Sequence, residues 1–414
     1  MSATFPRIGI PTLLLLLGLN ACSSEEARSD HRFEIVSEDG NPTALNHGGP
    51  KYADELFRYT LHLRLVEDPA VPASLLYQPD FHYVLGEDGC YYIADAGNSR
   101  VAVFDGDGRF VRSFGRRGNG PGEFTRPRIL TFEDGVLGLW DNFQRRTIYY
   151  RTDGSYLDDI FTPNIRSRIN GLHRDSEGRV IALYFDFREG EGFQYNGRRV
   201  VVTSVDGDTL TDMMTPLLPT AFLVRGEGVS GAGGLPYGPD PTIKLLPGGR
   251  LLRSTGAEPL LEIFDVTGRP LRRIRLDLPR EKVTADERAA IRGHLQAEAD
   301  TAGTGRAGEF SRAMVAGLRF PEEKAHWSSV EVDEAGYFWL AFSSPLFTVG
   351  SGDQTSYRLL SPEGEYLGDS ARPGMIVSTV SRSHLLTWEY DPESGALTPV
   401  VFRISPAVPG FEYP

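Results

Sequence analysis

Residues 81–114 read FHYVLGEDGCYYIADAGNSRVAVFDGDGRFVRSF, and their rhythm decides the fold. Phe81–Leu85 is an apolar run that meets the turn Glu87-Asp88-Gly89. A second run, Cys90–Ala94, is followed by the short polar loop Asp95–Ser99. A third, Arg100–Phe104, ends at Asp105-Gly106-Asp107-Gly108, and a fourth, Arg109–Phe114, completes the unit. Short β-rich runs separated by Asp-Gly turns predict a four-stranded antiparallel meander.

The unit recurs, and repetition at this period marks a repeat architecture. The second copy places turns at Glu133-Asp134-Gly135 and Thr152-Asp153-Gly154. The third uses Asp175–Gly178 and Asp206-Gly207. The fourth uses Pro247-Gly248-Gly249 and Thr267-Gly268. The fifth uses Asp333–Gly336 and Pro362-Glu363-Gly364. The sixth runs from Ile376 through Leu385–Tyr390 to Val400–Ile404 and lacks a fourth strand. Residues 58–66 form an unassigned strand ahead of the first copy. Pairing it with the last copy closes a ring and hides the sheet edges. The expected fold is all-β: a six-bladed β-propeller over 57–414, closed by an N-terminal strand.

Composition agrees. The 414 residues include 46 Gly and 28 Pro, and 40% are hydrophobic, enough for a sizeable core. A net charge of −13 argues against nucleic-acid binding, which wants a basic face. No apolar run reaches the roughly 20 residues of a membrane span.

Tyr92-Ile93-Ala94-Asp95 with Asn98, Arg100-Val101 and Val103-Phe104-Asp105 resembles an NHL repeat. Phe114-Gly115-Arg116-Arg117-Gly118-Asn119-Gly120-Pro121-Gly122-Glu123-Phe124 resembles a hallmark of bacterial six-bladed propeller lipoproteins related to NHL proteins. The resemblance implies the fold; it does not imply an activity, because propellers host unrelated functions.

The first thirty residues read as an address. Arg7 precedes the apolar stretch Ile8–Leu19, which has the length of a secretory signal. Leu19-Asn20-Ala21-Cys22 resembles a lipobox, which implies removal of residues 1–21 and acylation of Cys22; an ordinary secretory signal is the alternative. Ser23 after the cysteine resembles outer-membrane lipoproteins. Residues 22–56 are expected to be a tether and extension padding the propeller. With Cys22 lipidated, Cys90 has no intramolecular partner and reads as a small core residue.

Strands that alternate direction put the first-to-second and third-to-fourth turns on one face. The second-to-third loops and blade crossings then share the other, the top. All four long insertions, 186–197, 213–241, 276–325 and 343–355, are expected there. Loops of that length are usually functional or disordered. The 276–325 insertion should be helical: Thr284-Ala285-Asp286-Glu287 matches a capping box, and Phe310, Met314, Val315 and Leu318 share a helix face before Pro321.

The chemical motifs are weak. Gly115–Gly122 precedes a strand, not the helix that a phosphate loop requires. Asp105–Gly108 lacks the later glutamate of a calcium loop. Gly228-Val229-Ser230-Gly231-Ala232 sits outside the elbow setting of a nucleophilic serine. Asp95/Arg100 and Asp141/Arg146, each five apart, are expected to knit loops by charge-assisted hydrogen bonds. His82 and His173 share pleat parity on innermost strands; His326 does not.

Two function classes remain. The first is a non-catalytic, membrane-anchored envelope lipoprotein whose top face binds a protein, peptide or glycan. Loop placement puts Arg116, Arg117, Asp141, Asn142 and Arg145 on that face, with Asp186, Arg188, Tyr195, His326 and Trp327. The second is a lactonase- or lyase-type enzyme with a divalent metal in the central channel. No motif matches the second, so no cofactor, catalytic residue or metal ligand is assigned. The expected state is a monomer held to the outer membrane through Cys22.

Overall fold

The computed structural model describes residues 30–161, 169–342, 355–373, 379–381, 383–391 and 397–414. Six sheets, each with a four-stranded antiparallel meander, follow one another in chain order. Blade one spans Tyr83–Leu85 to Phe110–Phe114 and blade two Pro127–Glu133 to Tyr156–Phe161. Blade three spans Ile169–Arg174 to Thr209–Met214, and blade four Thr242–Leu246 to Pro270–Leu276. Blade five spans Ser329–Val332 to Tyr366–Arg372. In blade six, Thr379–Ser381, His384–Tyr390 and Leu397–Pro406 are joined by Phe57–Arg64 as outermost strand. The first strand of blade six was expected at Ile376; residues 374–378 lie outside the described residues.

Ring closure is therefore as expected. Phe57–Arg64 pairs antiparallel with Leu397–Pro406, from Phe57 opposite Pro406 to Arg64 opposite Val400. The seam between the last and first blades is well packed. The Tyr83 hydroxyl donates to the Thr387 and Val400 carbonyls at 3.0 and 2.6 Å. The Trp388 indole donates to the Phe81 carbonyl at 2.7 Å. Leu65, Tyr83, Ile93, Ala102, Leu386, Trp388 and Val401 form one buried cluster across that seam.

The middle strands are buried on both faces because each blade is sandwiched between two others. Tyr91 through Asp95 and Val101 through Phe104 are all buried, so they read as continuous apolar runs. The glycines Gly108, Gly154, Gly268 and Gly364 of the turns between third and fourth strands seat against the outer strand of the preceding blade. Gly364 has φ 97°, and a Cβ there would meet Ile274 of blade four at 2.7 Å. Only glycine meets both demands.

The N-terminal extension pads blade four. Arg32–Glu38 and Asn41–His47 form a hairpin, and the second strand pairs parallel with Pro270–Leu276, so that sheet has six strands. Buried Asn46 staples it: Nδ2 donates to Gly364 O at 2.9 Å, and Oδ1 accepts from Tyr366 N at 2.7 Å.

The long insertions are more ordered than loops. In blade three the second and third strands do not stop at Phe185 and Val200. They run as Val180–Gly190 and Phe193–Thr203 into a tall hairpin. The 213–241 segment forms a second hairpin, Leu218–Gly226 with Val229–Gly234, which pairs onto Phe193–Asn196. Helices α1 (Ala285–Thr301) and α2 (Arg306–Gly317) fall in sequence between blades four and five. They share a core with the second hairpin, made of Phe222, Val224, Val229, Ile291, Leu295, Val315 and Leu318. The capping box is present: Thr284 Oγ1 accepts from Glu287 N at 3.2 Å, and Glu287 Oε2 accepts from Thr284 N at 2.9 Å. Lys324 Nζ lies 2.7 Å from Glu287, and chiefly for that reason the carboxyl is pulled down to about 2. Residues 343–354, most of the fourth insertion, lie outside the described residues.

Candidate functional site

The ten residues expected on the top face fall in three separate parts of the fold. Around blades one and two, Arg116 is exposed and paired with Glu123 at 2.7 Å, and Arg117, Asn142 and Arg145 are exposed. Asp141 is a correction. Its side chain is fully buried and accepts backbone N–H groups from Thr125, Phe143 and Gln144, so it pins a loop and faces no ligand. On the raised hairpin of blade three, Arg188 lies over the Tyr195 ring, 5.1 Å from its centroid, with half-buried Asp186 on the same hairpin. Between blades four and five, Trp327 is a second correction: it is 1% exposed, and its indole donates to Ser254 Oγ at 2.9 Å. Loop placement alone put it on the top face; its environment is core.

The paired-charge expectation holds once. Buried Asp95 receives Arg100 Nε at 2.8 Å, and Arg100 also donates to the Ala73 and Leu75 carbonyls. Arg146 instead bonds Asp159 at 2.8 Å and the Gly120 carbonyl, leaving Asp141 to backbone donors.

His326 reaches a concave site. A cavity of about 210 Å³ is lined by Pro279, Glu281, Lys324, Ala325, His326, Phe342 and Arg358. It lies where the crossing into blade five meets that blade's second and third strands. The Arg358 guanidinium is 4.1 Å from the Phe342 ring centroid and donates to the His326 carbonyl at 2.7 Å. Burial, reinforced by Arg358 and Arg280, pushes the His326 imidazole down, so the ring is neutral at pH 7.

The second concave site is the channel. A cavity of about 180 Å³ is lined by His82, Lys244, Glu331 and Thr379, contributed by blades one, four, five and six. His82 Nδ1 is 3.4 Å from Thr379 Oγ1. Beside His82, burial pushes the Asp80 carboxyl up while His82 and Arg128 oppose it. Arg128 donates to Asn170 Oδ1 at 3.0 Å. Arg198 pairs loosely with Asp240 at 3.5 Å and lies 4.5 Å from the Phe185 ring centroid, and burial raises Asp240.

Sequence reading missed Asp80, Arg128, Lys244, Arg198 and Asp240. A usable signal existed: Asp80, Arg128 and Asp240 stand at or just before the start of an innermost strand, where the ring brings the blades together. His173 is buried against Tyr149 and does not line the channel cavity. Among the described residues no three His, Cys, Asp or Glu side chains are grouped to hold a metal ion. Cys90 is half-buried against the blade one–two core, and burial with Asp88 pushes its thiol up.

This geometry defines a six-bladed β-propeller that carries a raised α/β platform on its insertions. Residues 79–225 match the model of DUF5128, a family described as a 6-bladed beta-propeller. No curated protein matches the chain in sequence. Among solved structures, a Bacteroides fragilis protein inferred to be exported is 13% identical, with a TM-score of 0.49 and coverage of 86% of this chain and 98% of that one. A DUF4221-family member from Bacteroides vulgatus is 12% identical, with a TM-score of 0.44 and coverage of 85% and 99%. Virginiamycin B lyase from Staphylococcus aureus is 10% identical, with a TM-score of 0.33 and coverage of 83% and 88%.

Proposed function

We propose that the chain is a lipid-anchored envelope protein whose propeller holds a recognition platform toward a protein, peptide or glycan, without catalysis. One observation carries the reading. Three separate insertions, 186–197, 213–241 and 276–325, come together as two hairpins and two helices with paired strands and a common apolar core. Surface loops that had merely drifted in length would have no reason to share a core. Platforms held on rigid scaffolds are where binding residues concentrate. Arg188 stacked on Tyr195 offers the Arg–aromatic chemistry enriched at interface hot spots.

The anchor rests on Arg7, Ile8–Leu19 and Cys22. Several acyl chains on one cysteine hold a domain firmly, where a single chain binds marginally. Among the described residues no helix is long and apolar enough to span a membrane. The outer membrane is the proposed location.

The test is to purify the mature protein without added metal, quantify its metal, and cross-link envelope components in the same preparation. Capture that Arg188→Ala with Tyr195→Ala abolishes supports the platform. Stoichiometric divalent metal without any captured partner favours channel chemistry and overturns it.

A further inference from the structure

Blades one and two carry exposed aromatic rings beside exposed arginines, in segments separate from the platform insertions. Phe143 is 68% exposed on the second-to-third loop of blade two, and Tyr77 is 59% exposed on the segment leading into blade one. Arg117 and Arg126 stand exposed on the crossing between the two blades. Neither forms an ion pair among the described residues; Arg126 donates to the neutral Gln78 Oε1 at 2.9 Å. The acids of these segments are already engaged. Asp95 and Asp141 are fully buried, and Glu123 takes Arg116 Nε at 2.7 Å and Gly120 N at 2.9 Å. On a chain of net charge −13, this surface therefore presents positive charge.

Hydrogen bonds tie the segments together. Gly97 N donates to Tyr77 O at 2.8 Å and Ser99 Oγ to Thr125 O at 2.6 Å. Gln144 Nε2 donates to Gly118 O at 2.7 Å and to Thr125 Oγ1 at 3.1 Å. Backbone donors are consumed in the same way. The N–H groups of Thr125, Phe143 and Gln144 go to the Asp141 carboxylate, and those of Asn98 and Ser99 to carbonyls of their own loop. The second-to-third loops thus present side chains and no strand edge, so main-chain capture of a peptide has no footing in them. A bilayer would be met by apolar side chains grouped together, whereas Phe143 lies between Asn142 and Gln144, and Tyr77 precedes Gln78. What is on offer suits an acidic sugar chain. An exposed ring gives an apolar face to the C–H side of a sugar. A guanidinium fork takes a carboxylate through paired N–H···O bonds. The exposed Asn142 amide has a donor and an acceptor for hydroxyls.

We propose that this surface binds an acidic polysaccharide, with Phe143 and Tyr77 stacking on sugar rings and Arg117 and Arg126 taking carboxylates along the chain. The site belongs to the propeller body, is additional to the platform, and stands or falls separately from it.

The mature protein is titrated by calorimetry with the uronate polymers polygalacturonate, alginate and hyaluronan. Dextran serves as the neutral polysaccharide, polyglutamate as the acidic peptide, and phosphatidylglycerol vesicles as the anionic membrane. The expected result is that a uronate polymer binds at least about tenfold more tightly than dextran, polyglutamate or vesicles, and that added salt weakens it. Arg117→Gln combined with Arg126→Gln lowers the affinity at least about tenfold, the joint effect of two exposed charge contacts. Phe143→Ala weakens binding but leaves its salt dependence as in the wild type, because the ring carries no charge. Arg188→Ala with Tyr195→Ala leaves polymer binding unchanged. The site is overturned if no uronate polymer exceeds dextran, if polyglutamate or vesicles bind as tightly as the polysaccharides, if binding survives the double arginine variant, or if it is lost with the platform variant. The polymer comparison needs only the wild-type protein, so a poorly folding variant does not blunt it.

Discussion

Replacing Trp388 with phenylalanine tests whether the seam that closes the ring bears load like any other. Trp388 is fully buried on blade six, donates to the Phe81 carbonyl at 2.7 Å, and meets Tyr83 edge-on with ring centroids 5.8 Å apart. Phenylalanine keeps an aromatic ring but removes the indole N–H and part of the volume. The lost bond should cost about 1 kcal/mol, with more because a buried carbonyl loses its partner. The smaller ring leaves a gap beside Tyr83, adding about 1 kcal/mol. The sum, about 2 kcal/mol, corresponds to roughly two to three degrees in Tm for a domain of this size. Trp327→Phe is the reference, because Trp327 bonds Ser254 between blades four and five at 2.9 Å. Thermal unfolding of both variants should give similar losses in a single transition. A Trp388→Phe loss below about 0.5 kcal/mol beside a full loss for Trp327→Phe would refute the reasoning, because the closing seam would then be an open one.

Three further outcomes follow from packing and charge. Glu287 has a depressed carboxyl, so its contribution is present above its ordinary value of 4.5 and is lost as pH falls toward about 2; wild type should be more stable than Glu287→Gln at pH 7, the gap closing across that window in pH-dependent melts. Arg372 is 1% exposed, 3.0 Å from Glu331 and within about 4 Å of the Trp339 and Tyr357 ring centroids; Arg372→Ala strips Glu331 of its partner and should cost about 3–5 kcal/mol in urea unfolding. Gly364→Ala forces a side chain into a positive-φ turn and against Ile274, and should lower Tm by more than the same change at Gly40, where nothing lies within 4 Å.

The ring was legible because its signal is local and repeated. Each Asp-Gly turn sits between two short apolar runs, and Arg58–Val66 alternates like a strand with no local partner. The insertions were legible as insertions but not as structure. Phe187 and Tyr195 continue the strand pattern past the expected loop boundary, yet Pro219, the partner of Tyr195 in the second hairpin, is met only once that hairpin folds back. Asp141 and Trp327 were misplaced because loop position in sequence does not reveal burial: Asp141 is enclosed by backbone donors and Trp327 by two blades. Apart from His82, the channel set was missed for a different reason. His82, Lys244, Glu331 and Thr379 lie up to about three hundred residues apart and meet only through ring closure, which no spacing rule encodes. Arg358 was missed likewise, as an arginine inside a strand reads as solvated until Phe342 and the His326 carbonyl are seen to hold it.

The most direct test of the platform is position-specific photo-cross-linking in intact cells. A photoreactive residue is placed at Arg188 or Tyr195, and for comparison at Val205, which is 72% exposed on a third-to-fourth turn of the same blade. The platform positions should capture one discrete envelope component and Val205 none. Equal capture from both, or capture from Val205 alone, would contradict the assignment of recognition to the insertions.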